Sequence, residues 1–250
     1  LKQLLLNIKV DVTAQAEVLG RCHDFLSSGA THTIFFLNAH CFNIAQKNHA
    51  YFNAIHHADL LLNDGIGVRI ASWFAGITFP ENLNGTDLIP KILELAARQN
   101  CPIFFLGGAQ GIAAKAASEV TKKIPGLIVA GTHHGYFQQQ DSDALVRQIN
   151  ESGAEILILG MGVPRQELWA YKQIGKLTGV RIILAGGAIL DFLSGTIKRA
   201  PLWMRKLYLE WLYRLLLEPG RMWKRYLLGG GQFLFFLISL RFRKKWSKKD

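Results

Sequence analysis

An α/β fold, a Rossmann-like layered sheet with flanking helices, is predicted by three features of the sequence. Short apolar runs recur along the chain with longer helical patterns between them. Most of these runs are continuous rather than alternating, as expected of strands covered on both faces. Several run straight into polar or glycine-rich turns, as βα loops do. In order, helix 13–27 leads to strand 33–37 and helix 40–53 to strand 60–62. Helices 68–75 and 87–99 lead to strand 103–106, helix 110–123 to strand 127–130, helix 142–151 to strand 156–159, and helix 165–177 to strand 181–185. Thr86 and Asp141 stand ahead of the fourth and sixth helices and read as their N-caps.

Charge divides the chain. Residues 1–197 hold 15 lysines and arginines and 15 aspartates and glutamates, whereas residues 198–250 hold 14 basic against 3 acidic residues. The whole +11 formal charge therefore sits on the last segment. That segment is also aromatic: Trp203, Tyr208, Trp211, Tyr213, Trp223 and Tyr226 are packed among its basic residues. The chain of 250 residues reads as an α/β body over 1–197 with a basic aromatic appendage over 198–250. Such an appendage suits an anionic target: a phosphate-bearing substrate, a membrane face or nucleic acid. Cys22, Cys41 and Cys101 form neither a metal-ligand pattern nor an even disulfide set, which points to a reducing compartment. The N-terminal stretch, with an apolar run of three residues, does not read as a signal peptide. Residues 233–240 are the most apolar late segment. Extended back to 226, it makes about 22 Å of helix against a hydrocarbon core of ~30 Å. It reads as interfacial or shallowly inserted, with a spanning helix or packing on a partner as the alternatives.

The turns carry the chemistry. Leu37 runs into Asn38-Ala39-His40, Leu62 into Asn63-Asp64-Gly65, Leu106 into Gly107-Gly108, Leu159 into Gly160-Met161-Gly162, and Ala185 into Gly186-Gly187. If the strands are parallel these turns line one rim, where glycine lets the backbone approach a diphosphate. Neither G-x-G-x-x-G with a downstream acid nor a Walker A motif is present. Asp64, at a strand end between glycines, reads either as a general base or as the cap of the helix that follows. Tyr136 reads as a base-stacking ring or as core packing. His133 and His134 lack partners at ligand spacing, so no metal is expected.

Four segments carry a resemblance: Asn63 to Gly67, Asn84 to Leu88, Gly160 to Glu167, and the run from Arg199-Ala200-Pro201 through Glu210 to Leu215 and Glu218-Pro219 to Arg225-Tyr226. Over residues 5–228 the chain resembles the WecG/TagA/CpsF glycosyltransferases. The resemblance implies an inverting transfer of an N-acetylmannosamine-type sugar from a UDP-sugar to a polyprenyl-diphosphate-linked acceptor, in bacterial polysaccharide synthesis. It implies no catalytic metal or other cofactor. It further implies peripheral binding at the cytoplasmic face of the inner membrane, through an appendage that also completes the active site. Asp64 matches the proposed base. Asn38, Gln166 and Asp191 match donor-side residues, with Gly160 and Gly162 shaping the donor turn. Arg214, Arg221 and Arg225, with Arg199 upstream, are expected on the diphosphate or the acceptor, since guanidinium forks suit phosphate. The chain departs from the family pattern at Phe36, His40 and Asn82, where a Thr, an acid and an Arg are usual; this leaves the donor sugar open. The partners expected are a UDP-sugar, a polyprenyl-diphosphate-linked acceptor, an anionic membrane surface and a possible homo-oligomer, but not nucleic acid. The rival readings are a non-catalytic scaffold of a polysaccharide-assembly complex and a nucleic-acid-binding protein.

Overall fold

The computed structural model of the chain describes residues 1–246; the side chains of Arg221 and of residues 240–246 lie outside the described residues. The chain opens on an antiparallel hairpin, β1 (Lys2–Leu5) and β2 (Ile8–Asp11). Leu5, Ile8 and Val10 point into the core, and buried Asp11 accepts from Leu61 N at 2.9 Å. This hairpin is an addition to the sequence expectation: its strands are too short to show a period.

The body follows as α1 (Gln15–Ser27), β3 (His32–Leu37), α2 (Ala39–Ala45), α3 (His49–His56), β4 (Leu60–Asn63), α4 (Gly65–Ala75) and α5 (Gly85–Gln99). Next come β5 (Ile103–Gly107), α6 (Ile112–Lys123), β6 (Val129–His133), α7 (Ser142–Glu151), β7 (Ile156–Gly160), α8 (Arg165–Gln173), β8 (Ile182–Ala185) and α9 (Ile189–Leu193). Strands β3 to β8 pair in parallel in the order β4-β3-β8-β7-β5-β6, the layered sheet that the apolar runs predict. Alternate residues of each strand feed two cores. Phe35, Leu37, Leu157 and Leu159 pack on one face with the hairpin, α2, α3, α4, α7 and α8. Ile34, Phe36, Ile156 and Ile158 pack on the other with α1, α5, α6 and α9. Burial on both faces is why the strands read as unbroken apolar runs.

Several local expectations are corrected. The helix expected over 40–53 is two helices, because Asn48 accepts from Tyr51 N at 3.0 Å and starts α3 afresh. Asn84, not Thr86, caps α5, accepting from Asp87 N at 2.9 Å. Asp141 does not cap α7; its carboxylate accepts from Gln138 N at 3.0 Å in the 3-10 turn before it. The strand expected over 127–130 is β6, two residues later.

The last segment is a chain of helices, α10 (Leu202–Lys206), α11 (Glu210–Leu217), α12 (Pro219–Trp223) and, after a π turn, α13 (Gly229–Trp246). Pro219 breaks the run as its ring requires, so Arg214 and Arg225 reach the site from separate turns. The interfacial reading of residues 233–240 is corrected on one face: Phe233 and Leu237 are buried in the core of the body. Phe233 meets Phe42 of α2 edge-on at 5.3 Å between centroids, and Asn43 donates to Gly229 O at 2.7 Å. The opposite face leaves Leu234, Phe235 and Ile238 exposed. Among the described residues no helix is long and apolar enough to cross a membrane. The basic cluster over 241–249 lies outside the described side chains.

Candidate active site

Parallel strands with diverging connections open a crevice at their carboxyl ends. Here β5 leads to β6 and β7 to β8 in opposite directions, and α6 and α8 cover opposite faces. The two strand ends close up on glycine: a Cβ on Gly107 would sit 2.4 Å from the Gly160 carbonyl carbon. A cavity of about 930 Å³ occupies this rim. Its walls include Gly108, Gly160, Gly162 and Gly187, together with Tyr136, Gln166 and Asp191. The sequence-predicted donor residues therefore converge on one cavity. Tyr136 is 74% exposed there, so its ring is not core packing. Gln166 is buried, and its amide is spent within the protein: Oε1 accepts from Gly162 N at 3.2 Å and Gly187 N at 3.0 Å.

Asp64 stands at the N-terminus of α4 but makes no side-chain cap hydrogen bond, which removes the capping alternative. Its Oδ2 accepts instead from Asn38 Nδ2 at 3.3 Å. Asn38 does two jobs, since its Oδ1 also accepts from Cys41 N at 3.1 Å as the cap of α2. The two helix starts meet because residue 67 is glycine: a Cβ there would lie 2.7 Å from the Ala39 Cβ. Burial holds the Asp64 carboxyl above its ordinary value and Glu210 adds to this; the Asn38 hydrogen bond, Arg225 and Arg214 pull the other way. A carboxylate raised toward neutrality but kept beside guanidiniums suits proton abstraction.

A second cavity of about 960 Å³ lies between α4 and the last segment. Ile66, Ile70, Leu207, Tyr208, Trp211 and Leu234 give it an apolar wall. The two cavities share Asn38, His40, Asp64, Thr86, Phe192, Arg214 and Arg225. Asp64 thus stands at a wall with a glycine-rimmed polar space on one side and an apolar groove on the other. Arg214 lies over the Phe192 ring at 5.4 Å, which fixes its direction. The Nε atoms of Arg214 and Arg225 are buried with no hydrogen-bond partner among the described residues.

Arg199 lines neither cavity. Its Nη1 donates to Asp87 Oδ1 at 2.7 Å, and its Nε lies 3.5 Å from Glu210 Oε1. Arg205 meets the same Asp87 oxygen at 3.4 Å. Pro90 contributes to this joint. A proline inside α5 has no N–H for the Thr86 carbonyl, and Arg199 Nη1 approaches that carbonyl at 3.4 Å. Arg199 is thus a bridge from the body to α11, which carries Arg214. The side chain of Arg221 lies outside the described residues.

Sequence reasoning missed His40, Thr86 and Phe192 at the shared wall. His40 sits in a turn that the strand pattern already singles out. Burial, with the charge of Arg225, pushes its imidazole down to about 4, so it is neutral at physiological pH. Phe192 gave no signal, being one apolar residue among many in its helix.

A sequence model of the glycosyl transferase WecG/TagA/CpsF family matches residues 3–247. An N-acetylglucosaminyldiphosphoundecaprenol N-acetyl-beta-D-mannosaminyltransferase of Bacillus spizizenii is 33% identical over 183 residues, 73% of this chain and 70% of that protein. A protein of the same name from Bacillus subtilis is 32% identical over the same shares. One from Staphylococcus aureus is 27% identical over 223 residues, 88% of this chain and 85% of its own length.

Proposed function

The chain belongs to the WecG/TagA/CpsF family of glycosyl transferases, and we propose that it moves an N-acetylmannosamine-type sugar from a UDP-sugar to a polyprenyl-diphosphate-linked N-acetylglucosamine with inversion. The observation that carries this reading is the position of Asp64 at the wall common to both cavities.

In this reading the donor lies in the glycine-rimmed cavity, its diphosphate against the turns after β7 and β8. The acceptor sugar enters from the second cavity, and the prenyl chain follows the apolar wall of Ile66, Ile70 and Leu207 outward. An acceptor hydroxyl oxygen attacks the anomeric carbon as Asp64 takes its proton. The bond from that carbon to the β-phosphate oxygen breaks on the opposite face, which inverts the centre and releases UDP. Asn38 aims Asp64 at the hydroxyl. Arg214 and Arg225 neutralise the charge that grows on the leaving diphosphate, an effect that rises in a water-poor site.

The exposed apolar face of α13, beside a segment that carries all the net charge, suits an anionic membrane surface at the cytoplasmic face of the inner membrane. A panel of UDP-sugars offered with polyprenyl-diphosphate-linked N-acetylglucosamine in vesicles tests the reading. It expects one donor to give a lipid-linked disaccharide of inverted configuration. No product from any donor, together with no UDP binding by calorimetry, would defeat it.

A further inference from the structure

Behind the donor rim lies a buried pair that no catalytic step uses. Glu167, in the first turn of α8, is 1% exposed, as is Gln166 beside it. Gln166 Nε2 donates to Glu167 Oε1 at 2.8 Å. The other end of that amide, Gln166 Oε1, takes the N–H groups of Gly162 and Gly187. Gly162 belongs to the turn after β7 and Gly187 to the turn after β8. One side-chain amide therefore ties together two walls of the first cavity, and one carboxyl fixes that amide.

The carboxyl is poorly placed as a stabilising group. Its Oε2 is buried with no hydrogen-bond partner among the described residues, and burial pushes its pKa up to about 7. The groups that feel its charge, Cys41 of α2 and Tyr51 of α3, offer no cation; burial and then Glu167 push Cys41 up, and burial, then Cys41, then Glu167 push Tyr51 up. A buried acid with one satisfied oxygen is a liability that an apolar residue of similar size avoids. What it supplies is orientation. It occupies the Gln166 Nε2 group, so that Oε1 alone faces the two glycine N–H donors.

We propose that Glu167 is a positioning residue of the donor cavity: it locks the Gln166 amide, and through it holds the Gly162 and Gly187 turns at the separation that a nucleoside diphosphate bridges. The identity of the ligand rests on the donor reading above; the clamp between the turns does not.

The test uses the full chain with Glu167→Leu, Glu167→Gln, Gln166→Leu and the Glu167→Leu/Gln166→Leu double variant. Two readouts are taken: UDP affinity by calorimetry, and exchange of the Gly162 and Gly187 amide hydrogens by NMR. Glu167→Leu is expected to weaken UDP about tenfold and to speed both exchanges about tenfold, whereas Glu167→Gln, which keeps an acceptor for Gln166, stays within about threefold of wild type. In the Gln166→Leu background, Glu167→Leu is expected to add less than twofold. A folded Glu167→Leu with both readouts unchanged would overturn the proposal. So would a loss in Glu167→Gln equal to that in Glu167→Leu, or additive losses in the double variant. Should Glu167→Leu fail to fold, Gln166→Leu decides: unchanged exchange at Gly162 and Gly187 overturns the clamp. If the wild type does not bind UDP, the donor reading fails while the amide exchange still judges the clamp.

Discussion

Replacing Arg199 by Gln breaks the joint between the body and α11. In the structure its guanidinium holds Asp87 at 2.7 Å and approaches Thr86 O at 3.4 Å, and it also faces Glu210 at 3.5 Å. Burial raises the Asp87 carboxyl, yet the hydrogen bonds from Arg199 and Asn84 and the charges of Arg199 and Arg205 bring it below its ordinary value, so the attraction outweighs the desolvation. Breaking a fully buried pair costs about 3–5 kcal/mol, while an exposed pair is worth less than about 1 kcal/mol. Arg199 is 25% exposed and Asp87 44%, which places the joint at about 2 kcal/mol, or roughly 30-fold in the docked population. The apolar anchor is stronger. Phe233 and Leu237 each contribute about 1.5–3 kcal/mol of burial, so α13 stays in place while α10 and α11 loosen. The expected result is a fall of about 10- to 30-fold in transfer to the lipid-linked acceptor and faster amide exchange in α11, with UDP affinity changed less. Asp87→Asn should act on the same joint, giving a coupling energy of about 1 kcal/mol in a double-mutant cycle. Additive effects of the two substitutions, or full transfer by Arg199→Gln, would refute the reasoning.

Phe233→Ala removes a ring that is 2% exposed against Phe42 and should cost about 3–5 kcal/mol; limited proteolysis is expected to open the chain at Gly229–Gly231, and an unchanged digestion pattern would count against this packing. Glu167 has a pKa of about 7 in the folded protein against 4.5 unfolded, so the folded state keeps a proton that the unfolded state gives up. Its contribution to stability is full below about 4.5 and is lost as pH rises through about 7, a span of roughly 3 kcal/mol. Urea melts at pH 5 and pH 7.5 are expected to show this loss in wild type and a smaller one in Glu167→Gln; an equal change of stability between the two pH values in both proteins would contradict the burial assignment.

The sheet was legible because its strands other than the edge strand β6 are buried on both faces, which writes a run such as Ile156 to Leu159 into the sequence as unbroken apolar residues. The glycine rim of the first cavity was legible for a related reason: the turns after β5, β7 and β8 must admit close backbone approach, and glycine marks them. The opposite held where side chains chose between backbone partners. Asn84 and Thr86 are both competent caps, and only the path of the chain into α5 decides between them. The docking of α13 was hidden because its apolar residues run all round the helix, so no stripe announces which face meets Phe42. Arg199 illustrates a further limit. Its basic, aromatic surroundings are the same as those of Arg214, yet one holds Asp87 and the other reaches the cavities, a division set by the break between α10 and α11 and by the carbonyl that Pro90 leaves free.

Asp64→Asn is the decisive substitution, because an asparagine keeps the size of the side chain at the shared wall and removes only its capacity to take a proton. Single-turnover transfer is to be measured with saturating donor and lipid-linked acceptor, with UDP affinity measured alongside. A general base at this position predicts a loss of about 10²-fold or more in the transfer step, with UDP affinity within about threefold of wild type. Transfer at the wild-type rate would contradict that role. So would a loss explained wholly by weaker UDP binding, which would make Asp64 a donor ligand and leave the proton to another group at the wall.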